Sequence, residues 1–199
     1  MLPDALRETL RLVWTTLGAA DVPVAVMGGV ALSRWERIRA TKDIDLLAGI
    51  DPTNVDSVLQ RLLEVGVRAR HRPPIVPIGD AQFIHLLYEP PESFVEVRTD
   101  LLLASTAFLR EALSRRVPMQ LADLNLGLEV VSCEDLILLK LEAGRLIDRA
   151  DAAELLWMNR ETIDVGYVTK WIKHFRLGEE WAQIWEEAFP GQAPPSPTE

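Results

Sequence analysis

An apolar run closed by a glycine pair, Val26-Met27-Gly28-Gly29-Val30-Ala31-Leu32, is followed after a helix-length gap by two aspartates one residue apart, Asp43-Ile44-Asp45-Leu46. In a strand, residues two apart share a face and lie about 6.6 Å apart at Cα. Asp43 and Asp45 therefore point one way while Ile44 and Leu46 enter a core. Two carboxylates so placed repel each other unless a cation lies between them. Mg²⁺ suits the arrangement, because it binds a few carboxylates and completes its octahedron with water and phosphate oxygens. Gly28 and Gly29 lack Cβ, so phosphate oxygens can approach their backbone, and a helix starting there would offer free N–H groups. The pattern predicts a phosphate-accepting turn beside a strand that holds a metal.

The surrounding chain predicts an α/β (α+β) fold. Residues 4 to 19 have helical spacing, with Leu6, Leu10, Val13 and Leu17 recurring at three to four. Val22 to Met27, Asp43 to Ala48, Val67 to Arg72, Gln82 to Tyr88, Phe94 to Leu103 and Leu128 to Val131 read as strands, the last as an edge. Gly29 to Ile38 reads as a helix, and so does Asp51 to about Val65, with Asp at the cap and Pro in the first turn. Pro73 to Asp80 reads as a loop, and a short helix is expected from about Thr106 to Leu113. Ser132-Cys133-Glu134-Asp135 matches a capping box that opens a nearly all-apolar helix to about Ile147. Further helices follow from about Arg149 to Met158, around Trp171, and around Trp181 and Trp185. The expected organisation is an α/β core over 1–131, a C-terminal helical segment over 132–190 packed on it, and a Pro-rich disordered tail over 191–199.

At 199 residues the chain can bury a substantial core. Its net charge of −9 argues against a broad basic nucleic-acid surface, though not against a local basic pocket. Cys133 is the lone cysteine, so no intrachain disulfide forms and a reducing compartment is expected. The opening residues Met1-Leu2-Pro3-Asp4 lack a basic-then-apolar leader pattern, and no apolar run reaches the roughly 18 residues of a membrane span. The expectation is a soluble cytoplasmic protein without a membrane partner. His71, His85 and His174 have no second ligand at zinc spacing, so they receive no metal role. Trp181 and Trp185, four apart, read as packing residues or as part of a partner surface.

Gly28-Gly29 with Asp43-x-Asp45 resembles the catalytic centre of the nucleotidyltransferase superfamily, the fold shared by DNA polymerase beta, tRNA nucleotidyltransferases and AbiEii-type toxins. The resemblance covers roughly residues 20 to 155. It implies a mixed β-sheet flanked by helices, and a third carboxylate on a later strand. Glu96 and Asp100 are the candidates. The run from Asp100 through Leu101-Leu102-Leu103-Ala104-Ser105 to Ala112 resembles small prokaryotic members in which the opening aspartate is the third acid. Asp100 is therefore preferred and Glu96 is the fallback. This chain has Gly29 where many members have serine, which removes a hydroxyl contact with the triphosphate.

Glu134 to Arg145, with Asp148 and Asp151, resembles the helices that follow the catalytic core of AbiEii-like members, which implies nucleotide contacts by Lys140 and Arg145. Read on its own, Lys140 has only Leu136, Ile137, Ala143 and Gly144 at helical spacing, so its ammonium must snorkel outward or meet an anion elsewhere in the fold. Arg145 can pair with Glu142 or Asp148. Arg39 and Lys42 precede the acidic strand, where they would touch phosphate or neutralise Asp43 and Asp45. The implied reaction moves a nucleoside monophosphate from an NTP to an acceptor hydroxyl on RNA, protein or a small molecule, with two Mg²⁺ ions. Related small members include toxins, which implies an antitoxin protein as a partner. The competing reading is a catalytically silent domain that binds a nucleotide or a protein.

Overall fold

In the computed structural model, which describes residues 2–37, 39–91, 93–121 and 126–195, the chain forms two units. The first comprises Met1–Ala31 and Arg39–Val131, and the second Leu32–Ile38 and Ser132–Glu199. No helix among the described residues is long and apolar enough to cross a membrane. Ile38, the expected end of the helix after the glycines, and 196–199 of the expected tail lie outside the described residues.

In the first unit the 3–4 spacing of Leu6, Leu10, Val13 and Leu17 becomes the buried stripe of α1 (Asp4–Gly18). It is followed by β1 (Val24–Met27), α2 (Gly28–Leu32), β2 (Ile44–Ala48) and α3 (Val55–Glu64). Then come β3 (Arg68–Ala69), β4 (Ile75–Ile78), β5 (Ala81–Tyr88) and β6 (Val97–Leu103). The unit closes with α4 (Ala107–Ser114), β7 (Val117–Leu121) and β8 (Leu126–Val130). The strands form one mixed sheet in the order β3-β5-β6-β2-β1-β8-β7, with β4 also paired to β5. β1 runs antiparallel to β2 and parallel to β8, while β2 runs parallel to β6. Val26, Ile44, Leu46, Ile84, Leu86 and Leu101 are fully buried.

The structure corrects several sequence expectations. The segment read as a loop after Pro73 contains β4, which tolerates Pro77 because it pairs on one side only, with β5. β7 has no counterpart among the expected strands, and it takes the sheet edge expected for the last strand; β8 lies inside, between β1 and β7. The helix expected over Gly29 to Ile38 is a five-residue α2 and a 3₁₀ turn over Ser33–Trp35, ended by Glu36 in the left-handed region at φ 67°. The strand expected from Phe94 begins only at Val97, and Phe94 is fully exposed.

The second unit holds α5 (Cys133–Ala143), α6 (Leu146–Met158), α7 (Val165–Phe175) and α8 (Gly178–Ala188). Ser132 caps α5 as its sequence predicts, its Oγ accepting from the Asp135 N–H and donating to Asp135 Oδ2. α5 stops at Ala143 rather than near Ile147, because Gly144 turns left-handed at φ 67°. Cys133 is buried, which pushes its thiol well above the usual range. Trp181 is 2 % exposed and packs against Trp185, which in turn meets Phe189.

Candidate active site

The register of the first unit sets the candidate residues in one transverse row. Asp45 pairs with Met27 of β1 on one side and with Asp100 of β6 on the other. Asp100 in turn faces His85 of β5. Residues directly opposite across neighbouring strands share a face, so Met27, Asp45, Asp100 and His85 all present to the same side. Asp43 lies two residues before Asp45 at the mouth of β2, on that side too. Neighbouring strands stand about 4.8 Å apart, which makes Asp45 and Asp100 immediate neighbours. Glu96, the fallback third acid, is four residues earlier, outside β6, and ion-pairs with Arg68 at 2.5 Å.

Gly28 closes the row at the β1 end. Its φ is 61°, and a Cβ built there would lie 1.9 Å from Asp45 Oδ2. The carboxylate therefore lies where a side chain would stand. A Cβ at Gly29 would meet the Thr41 side chain at 2.8 Å, so Thr41 fills the space a residue-29 hydroxyl would need. Thr41 Oγ1 donates to the Asp43 carbonyl at 3.0 Å. Arg39 is half-buried and Lys42 exposed on the loop that enters β2. Gly28→Ala is expected to displace Asp45 and to cost roughly 1–2 kcal/mol of stability from the left-handed backbone. NTP titration beside thermal melting checks it: affinity unaltered by the alanine would mean that the close approach to Asp45 has no role in binding.

Arg98 stands between two of the acids. Its Nη2 donates to Asp43 Oδ2 at 2.5 Å, and its Nε lies 3.3 Å from Asp100 Oδ2. The other Asp100 oxygen is hydrogen-bonded to His85 Nδ1 at 2.7 Å. The His85 ring lies parallel to Phe83, with centroids 6.0 Å apart, and edge-on to His71 at 5.4 Å. The sequence does not announce these partners of Asp100, because a lone histidine carries no sign of its cross-strand register.

The donor set fits a hard divalent cation, since all three acids offer carboxylate oxygen. The bridging guanidinium marks the place between Asp43 and Asp100 as one that takes positive charge. As the side chains stand, no group of three His, Cys, Asp or Glu among the described residues converges into a ready ligand set.

Lys140 and Arg145 belong to the second unit, where their charges are already engaged. Lys140 is 5 % exposed, and its Nζ donates to Asp148 at 2.7 Å and Asp151 at 2.9 Å. The anion its own helix lacks thus comes from α6. Arg145 Nε meets Asp148 Oδ2 at 2.5 Å, and Arg37 Nε meets Asp151 Oδ1 at 2.7 Å while also pairing with Glu154.

No family model matches the chain, and no curated protein matches it. Solved structures do. An antigenic nucleotidyltransferase-like protein from Paracoccidioides brasiliensis superposes with a TM-score of 0.62 at 15% identity, over 94% of this chain and 90% of that one. The chain has the nucleotidyltransferase fold. The antibiotic-resistance factor ANT(2'')-Ia shares this fold at a TM-score of 0.54 and 15% identity, over 92% of this chain and 96% of that one. The lincosamide antibiotic adenylyltransferase LnuA shares it at 0.50 and 13% identity, over 79% and 98%. Within the nucleotidyltransferase fold of this chain, the Gly28 turn, the Asp43 and Asp45 strand and Asp100 lie in one unit and on one face.

Proposed function

We propose that the chain is an Mg²⁺-dependent nucleotidyltransferase that transfers a nucleoside monophosphate from an NTP to an acceptor hydroxyl and releases pyrophosphate. The observation that carries this reading is the adjacency of Asp43, Asp45 and Asp100 on the face bordered by Gly28. The acceptor oxygen forms a bond to the α-phosphorus, the bond from that phosphorus to the bridging oxygen breaks, and the hydroxyl proton leaves to Asp100 or to water. Asp43, Asp45 and Asp100 would hold two Mg²⁺ ions, which when bound neutralise charge on the attacking and leaving oxygens. Gly28 and Gly29 let the triphosphate approach the backbone, and Arg39 and Lys42 serve as phosphate contacts. Lys140 and Arg145 enter this reading only by exchanging Asp148 and Asp151 for phosphate oxygens, and those partners are the observation against it.

That ANT(2'')-Ia and LnuA share the fold supports an enzyme reading. The resemblance to small toxin-type members supports a toxin setting with an antitoxin protein as partner, and the lone Cys133 supports the cytoplasm. The silent-domain reading loses ground on two counts: Asp100 stands beside Asp45, and Trp181 is buried rather than displayed. Calorimetric titration of ATP, GTP, CTP and UTP in Mg²⁺ tests the proposal. At least one NTP is expected to bind in a metal-dependent manner and to transfer its α-labelled monophosphate. Failure of all four would return the silent domain to first place.

A further inference from the structure

The acidic row has two flanks of opposite character. On the β1 side lie Met27 and the glycine turn. On the β5 side lie His85, Phe83 and His71, and beyond them the exposed Arg70, whose N–H donates to the His85 carbonyl at 2.8 Å. That bond places Arg70 opposite His85, so the row runs Met27, Asp45, Asp100, His85, Arg70 across the sheet. The stretch 65–79 carries Arg68, Arg70 and Arg72 without a single Asp or Glu, in a chain of net charge −9. Arg68 is engaged by Glu96, and Arg98 by Asp43 and Asp100. Arg70 and Arg72 are exposed, and neither guanidinium makes an ion pair with a described residue. Phe83 is half-buried on the strand that carries His85, its ring parallel to the His85 ring.

Resting on the transfer reading, we propose that this β3–β5 strip is the acceptor subsite and takes the end of a single-stranded nucleic acid. If the donor phosphates lie against Gly28 and Gly29, the acceptor must approach Asp100 from its other side, which is this strip. Guanidinium groups there meet strand phosphates. An aromatic side chain that keeps partial exposure, as Phe83 does, stacks on a base whatever its identity.

Fluorescence anisotropy on the full chain tests this without NTP or metal, using labelled single-stranded RNA and DNA oligonucleotides of one sequence. Wild type is expected to bind at least one of them; the tighter of the two identifies the strand. Arg70→Glu/Arg72→Glu should weaken binding by more than about tenfold and reduce the log–log salt slope by ~0.7 for each phosphate that is no longer neutralised. Phe83→Leu keeps an apolar side chain without the π face, and should weaken binding about tenfold with the salt slope unchanged. NTP titration of the same variants should match wild type. Wild-type NTP binding with no strand binding, or strand binding indifferent to Arg70 and Arg72, would each overturn the acceptor assignment while leaving the transferase reading intact. Strand binding without binding of any NTP would overturn the transferase reading instead.

Discussion

Asp43→Asn/Asp45→Asn is expected to abolish metal-dependent NTP binding and to lower monophosphate transfer by at least about a thousandfold, while the protein remains folded. Asparagine keeps the shape of each side chain and removes its charge, so the core packing of Ile44 and Leu46 is untouched. The missing quantity is the several kcal/mol of charge stabilisation that a metal-assisted displacement draws on. The stability cost should be small for two reasons. Removing two neighbouring carboxylates also removes their repulsion. The partner that Arg98 loses is a half-exposed one, and ion pairs of that kind contribute little. Calorimetric titration with α-labelled transfer reads the first effect and thermal melting the second. A double variant that still binds NTP in a metal-dependent way would remove Asp43 and Asp45 from the centre. Asp100→Asn should reproduce the loss of transfer, whereas Glu96→Gln should leave it unchanged.

The contrast between Asp100 and Glu96 shows what the sequence could supply. Both residues sit at even positions of one expected strand, so alternation alone places them on the same face. Only the resemblance favours Asp100. Register decides where each one stands: Asp100 faces Asp45, whereas Glu96 precedes β6 and meets Arg68. β1 and β2 are legible because they are buried, apolar and bounded by glycine, proline and aspartate. β4 and β7 are not, because Pro77 and Pro118 read as breakers although strands paired on one side tolerate them. His85 and Arg98 escape a sequence reading for a related reason. Their roles lie in cross-strand pairing, and nothing local to either residue announces them.

Lys140 is harder still to read, since its partners lie on the next helix, and its removal should have the largest effect on stability. Lys140→Met keeps the aliphatic stem but leaves Asp148 and Asp151, both fully buried, without its charge. Breaking a buried pair on one side costs about 3–5 kcal/mol. The measurement is the urea midpoint followed by far-UV circular dichroism. Asp148→Asn added to Lys140→Met should recover part of the loss, because it removes a buried carboxylate left with Arg145 as its remaining cationic partner. The pH dependence has a definite sign. Burial alone would raise the Asp148 carboxyl, but hydrogen bonds and charge from Arg145 and Lys140 outweigh it and hold the carboxyl below the usual range. Its contribution is therefore complete above the unfolded value of about 3.9 and is lost as the pH falls through the lower folded value. The gap between wild type and Lys140→Met should accordingly be wide at neutral pH and narrow in acid below about pH 4. If the gap were the same at both, the ammonium would not be stabilising Asp148. NTP titration of the folded variant then decides its second assignment: affinity equal to wild type restricts Lys140 to the ion cluster, and a loss beyond what unfolding explains returns it to the nucleotide.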